Sequence, residues 1–94
     1  MYSIHFDADQ SLLDFIQSKL NKLDTFYDRI VDGEVFLRLD NNNVNNKIVE
    51  AKIFVPGSTL FTKAESTTFE IATDEVLATL TRQIKKYKEK TLAH

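Results

Sequence analysis

The hydrophobic spacing of this chain switches between a period of two and a period near 3.6, and the order of the switches constrains the fold more than any other feature. Tyr2, Ile4 and Phe6 alternate with Ser3 and His5, which predicts a short strand followed by a turn at Asp7-Ala8-Asp9-Gln10. Leu12, Leu13, Ile16, Leu20, Leu23 and Tyr27 then recur every three or four residues. That is the apolar stripe of an amphipathic helix running to about Tyr27. Ser11, three residues before Asp14, is the expected cap at its start, and Asp32-Gly33 is expected to close the connection that follows.

The period of two returns at residues 34–40, where Val35, Leu37 and Leu39 face one way and Phe36 and Arg38 the other. A third strand is expected where Val49, Ala51, Ile53 and Val55 alternate with Glu50, Lys52 and Phe54. The polar run between them, from Asp40 to Asn46, is short enough for a hairpin connection, and its asparagines tolerate left-handed backbone angles. Pro56-Gly57 signals a turn, and a fourth strand follows from Thr59 to about Glu65. Thr67 stands three residues ahead of Glu70, a capping box opening the last element. Phe69, Ala72, Val76, Leu80, Ile84 and Tyr87 repeat at helical spacing, widened by Leu77, and no Gly or Pro interrupts residues 68–90. The predicted order is β-α-β-β-β-α. A β-α-β start of this length predicts a parallel crossover. Two amphipathic helices covering one face of a four-stranded mixed sheet give an α+β two-layer sandwich, a single domain over residues 1–94.

Composition removes several kinds of chemistry. There are no cysteines, which excludes disulfides, thiolate metal sites and a Cys nucleophile. The two glycines leave no Gly-rich phosphate loop. His5 and His94 are the only histidines, and His5 reads as a cross-strand neighbour rather than a base. Asp7-x-Asp9 lacks the further oxygen ligands of a calcium loop, and Ser11 and Ser58 have no evident His–Asp partner. No catalytic residue, metal, cofactor or small-molecule substrate is expected. The start lacks the basic and apolar stretches of a signal peptide, and no apolar run approaches the roughly 20 residues that cross a bilayer. A soluble, cytoplasmic chain with no membrane partner is the expectation.

The net charge of −2 conceals an uneven distribution. Residues 81–94 carry Arg82, Lys85, Lys86, Lys88 and Lys90 against Glu89, a local charge of +4, and the other eighty residues carry −6. With Leu80 at the centre of the buried face, Arg82, Lys85 and Lys86 fall on the outward side of the final helix. Lys19 and Lys22 are neighbours on the first helix, one turn apart. If both helices cover the same face of the sheet, these rows share one outer surface. Screening over about 8 Å then isolates that surface from acids elsewhere. The same lysines also complement a helix dipole and keep the chain soluble, so composition and spacing leave the two readings open.

Residues 12–23, Leu-Leu-Asp-Phe-Ile-Gln-Ser-Lys-Leu-Asn-Lys-Leu, continue through Phe26-Tyr27-Asp28-Arg29-Ile30. Together with Ala64-Glu65 and with Arg82-Gln83-Ile84 followed by Lys86 and Lys88, they resemble the ribosome hibernation promoting factors. The ribosome-associated translation inhibitors, also known as sigma-factor modulation proteins, are relatives of that family. The resemblance runs over essentially the whole chain. It implies a factor that binds the small ribosomal subunit near the decoding centre and inhibits translation in stationary phase or stress. By position it assigns contacts with ribosomal RNA to Lys19, Lys22, Arg82, Lys86 and Lys88. The local charge adds Lys85 and Lys90. Off the ribosome a monomer is expected. Two other readings stand beside this one. The sandwich serves as a protein-interaction module for an acidic partner or itself, with Phe15 and Phe26 supplying an apolar patch, or as a double-stranded RNA binder outside the ribosome.

Overall fold

The computed structural model describes residues 2–5, 10–40 and 46–92, with Thr91 and Leu92 described through their backbone alone. The expected turn residues Asp7, Ala8 and Asp9, Phe6, the asparagines within 41–45 and His94 lie outside the described residues. The elements are β1 (Tyr2–His5), α1 (Gln10–Phe26), β2 (Asp32–Leu39), β3 (Lys47–Val55), β4 (Ser58–Ser66) and α2 (Phe69–Leu92). The strands form one sheet in the order β1-β2-β3-β4. β1 runs parallel to β2, as a β-α-β crossover requires, and the other two pairings are antiparallel. The expected α+β sandwich with a four-stranded mixed sheet is the architecture found.

Both helices lie on the same face of the sheet, where the odd-numbered residues of β2 from Val35 and of β3 from Val49 are apolar. Val35 and Leu37, with Val49, Ala51, Ile53 and Val55, meet Ile16, Leu20 and Leu23 of α1 and Ala72, Val76, Leu80 and Ile84 of α2. Each fully buried aliphatic chain of this size contributes about 1.5–3 kcal/mol. Truncating the fully buried Leu80 to alanine would cost about 2–5 kcal/mol. Leu39 departs from the expectation. It keeps the inward parity of Val35 and Leu37 but is 52% exposed, because it occupies the last paired position of β2 and lacks their cover. Ile48 departs in the opposite sense. It sits on the face away from the helices and is nonetheless buried, between its cross-strand neighbours Arg38 and Glu65.

The caps and turns show where local signals were displaced. α1 starts at Gln10, one residue before the expected cap Ser11, and the Gln10 side-chain amide donates to Asp14 at 2.8 Å. Thr68, not Thr67, caps α2: its hydroxyl accepts the Ile71 N–H at 3.1 Å, three residues on. Asp32-Gly33 does not lie in the connection but opens β2, where Gly33 pairs with Tyr2. A Cβ at Gly33 would stand 2.4 Å from the Tyr2 ring, so only glycine lets the ring cross the strand. The Tyr2 hydroxyl then reaches α1 and donates to Asp24 at 2.9 Å. Between β3 and β4, Gly57 takes a φ of 77° after Pro56, the positive angle demanded of the third residue of a type II turn. The β2–β3 hairpin is closed by the Asp40 N–H donating to the Asn46 carbonyl at 2.9 Å.

Candidate functional site

With their apolar stripes turned to the sheet, α1 and α2 lie side by side and leave a groove on the outer surface. Lys19, Lys22 and Phe26 line it from α1, and Asp74, Ala78 and Thr81 from α2. The spacing explains the selection, since residues three, four and seven apart share one helix face. Leu23 and Leu77 form the apolar floor of the groove.

The seven basic residues expected from the sequence fall at different places around this groove. Lys19 stands 3.3 Å from the Asp74 carboxylate across the groove and 5.3 Å from the centre of the Phe15 ring. Lys22 is exposed on the groove wall. Lys85 and Lys88 follow Thr81 at four and seven residues and so extend the α2 wall towards the end of α1. The Lys88 ammonium lies 4.9 Å from the centre of the Phe26 ring and 6.0 Å from that of Tyr27. Arg82 sits on the crest of α2, one residue beyond that wall, and its guanidinium donates to the Thr79 hydroxyl at 3.3 Å. Lys86 and Lys90 follow Gln83 at three and seven residues. The Gln83 amide donates to the Phe61 carbonyl of β4 at 3.0 Å, so this flank faces the sheet edge and not α1. Lys19 and Lys22 thus line the groove, Lys88 reaches its Phe26 ring, and helical spacing puts Lys85 on the same side of α2. Arg82 is adjacent, and Lys86 and Lys90 are turned away.

Asp74 and Phe26 line the groove although the expected RNA contacts did not include them, Phe26 having been singled out only for an apolar patch. Asp74 places an acid within a basic surface, and its exposed pairing with Lys19 contributes at most about 1 kcal/mol to stability. Its position was readable on the α2 wheel, four and seven residues before Ala78 and Thr81. Phe26 is 39% exposed, whereas its neighbour Tyr27 is buried and meets Tyr87 edge-on, with ring centres 6.0 Å apart. Phe15 is packed against the core, so Phe15 and Phe26 do not form the continuous apolar patch that a protein-interaction module was expected to show.

The opposite face of the sheet has a different character. Arg38 pairs with Glu50 at 3.1 Å and Lys63 with Glu65 at 3.7 Å. His5 stacks on its cross-strand partner Phe36 at 4.6 Å with an 11° interplanar angle, the neighbour role expected of it, and lies 3.9 Å from Glu34. Cations there are interleaved with acids, so they project little net field. Among the described residues, no three His, Cys, Asp or Glu side chains gather as a metal site. Among them too, no helix is long and apolar enough to cross a membrane.

Comparison with known proteins follows the same outline. Residues 1–92 match the family model described as Sigma 54 modulation protein / S30EA ribosomal protein. The ribosome hibernation promoting factor of Pseudomonas putida is 31% identical over 86 residues, covering 92% of this chain and 81% of that protein. That of Klebsiella oxytoca is 32% identical over 84 residues, covering 89% of this chain and 85% of its own length. Among solved structures, a ribosomal subunit interface protein from Coxiella burnetii superposes with a TM-score of 0.81 at 27% identity. The match covers 93% of this chain and 96% of that one. The N-terminal domain of Protein Y from Thermus thermophilus has the same fold, with a TM-score of 0.76 at 22% identity, over 92% of this chain and 94% of its own.

Proposed function

This chain belongs to the Sigma 54 modulation protein / S30EA ribosomal protein family, and on that premise we propose that it is a ribosome hibernation factor. It acts in the cytoplasm by binding the small ribosomal subunit near the decoding centre, and so inhibits translation in stationary phase or stress. The groove between α1 and α2 is the RNA-binding surface. Lys19, Lys22, Lys85 and Lys88 hold phosphates there, Arg82 adds a contact from the crest, and Lys86 and Lys90 strengthen the field from the flank. No cofactor takes part.

The observation that carries this reading is the convergence of lysines from both helices on one groove of a chain that is acidic overall. Each ammonium that neutralises a phosphate releases counterions, so affinity falls as salt rises. About five contacts correspond to a log–log slope near −3 to −5. Recognition rests on the shape of the RNA cleft, because the bases of a folded RNA helix are largely hidden from side chains.

Pelleting purified small ribosomal subunits with the protein, across a salt series, tests this reading. Binding is expected to weaken roughly 10²- to 10³-fold between about 50 and 200 mM salt. The Lys19→Glu/Lys22→Glu variant is expected to bind poorly throughout. Salt-independent binding would refute the electrostatic mechanism. Equal affinity for free duplex RNA would favour a double-stranded RNA binder acting outside the ribosome.

A further inference from the structure

We propose that Phe26 is a stacking platform for one unpaired RNA base, with the phosphates beside that nucleotide held by Lys22 and Lys88. The inference rests on the groove being an RNA-binding surface and specifies which part of an RNA it takes. Phe26 ends α1 and is the exposed member of an adjacent aromatic pair, since Tyr27 turns into the core. The large exposed apolar side chains among the described residues are Phe26, Val31, Leu39, Phe61 and Ile71, and of these Phe26 lines the cationic groove.

What lies around the ring identifies the occupant. Lys22 is one helical turn before Phe26 on the same wall, and the Lys88 ammonium approaches the ring centre to 4.9 Å. A flat apolar face between two cations matches a nucleotide, which carries a π-surface and anionic phosphates on either side. An acidic peptide would use the lysines and leave the ring idle, and an apolar peptide would be opposed by both ammonium groups. Base stacking on an aromatic ring is stronger than a single exposed cation–π contact. An arriving base therefore displaces the Lys88 ammonium from the ring towards the neighbouring phosphate. Bases within a duplex already stack on each other, so the platform selects an unpaired nucleotide. Because every base has a π-face, the contact is tolerant of sequence.

The chain contains no tryptophan, so Phe26→Trp installs a single fluorescent reporter at the platform. That variant is titrated with an eight-nucleotide oligoadenylate and with an abasic ribose–phosphate chain of the same length. Quenching by the oligoadenylate alone is expected, and equal quenching by both, or by neither, would overturn the platform. In parallel, wild type, Phe26→Ala and Phe26→Trp are pelleted with small ribosomal subunits across a salt series. Phe26→Ala is expected to bind at least about fivefold more weakly at every salt concentration with an unchanged slope, and Phe26→Trp to bind like wild type. Wild-type affinity in Phe26→Ala would reject the platform and leave the RNA-binding groove standing. Failure of the wild type to bind at low salt would reject the groove itself.

Discussion

The ammonium of Lys19 on α1 lies 3.3 Å from the carboxylate of Asp74 on α2, so an ion pair spans the groove between the helices. Any phosphate that Lys19 takes up competes with this internal anion. Asp74→Asn should therefore raise affinity for small ribosomal subunits by about two- to tenfold at low salt, with the gain shrinking as salt screens the groove. Folding stability should change by less than about 1 kcal/mol, since Asp74 is more than half exposed. Weaker binding in this variant would mean that Asp74 positions Lys19 instead of competing for it.

Thr68 and Thr67 present the same hydroxyl one residue apart, yet the Ile71 N–H donates to Thr68. Thr68→Ala should destabilise the domain by about 0.5–2 kcal/mol in urea unfolding. Thr67→Ala should stay within about 0.5 kcal/mol of wild type. Equal losses in the two variants would show that the cap is shared between them.

The Tyr2 phenol is pushed above its usual pKa near 10, first by burial and then by its hydrogen bond to Asp24 and the charge on that carboxylate. Folding thus favours the protonated phenol. Its stabilising contribution is complete below the unfolded pKa and declines as pH rises past about 10 towards the higher folded value. Tyr2→Phe should cost about 1 kcal/mol at neutral pH through the lost hydrogen bond. The gap between wild type and variant should narrow above pH about 10 as the unfolded tyrosine ionises. Urea midpoints measured for both proteins from neutral to alkaline pH check this, and a gap that stayed constant would argue against a buried, protonated phenol.

These examples mark how far local pattern reaches. Alternation in β2 and β3 identified Val35, Leu37, Val49, Ala51, Ile53 and Val55 as core, because parity decides which side of a sheet a residue faces. Parity says nothing about whether that side is covered at a given row, which is why Leu39 is exposed. Nor does it register neighbours from other strands, which is why Ile48 is buried among Arg38 and Glu65. Gly33 reads locally as a turn residue, but it lies in β2, where the β1–β2 pairing brings the ring of Tyr2 across it. Counting cations located the lysine rows on both helices. It could not pair Lys19 with Asp74 or separate Lys85 and Lys88 from Lys86 and Lys90, since those distinctions arise where α1 and α2 pack.

That separation allows the most direct test of the central claim, that the groove and not the basic helix as a whole binds the small subunit. Lys22→Glu/Lys85→Glu and Lys86→Glu/Lys90→Glu make the same change in net charge, one pair on the groove and one on the flank. Their affinities for purified small ribosomal subunits should be compared with wild type at a single low salt concentration. The groove variant is expected to lose at least about tenfold and the flank variant to lose several-fold less. Equal losses in the two variants, or a larger loss on the flank, would contradict the account.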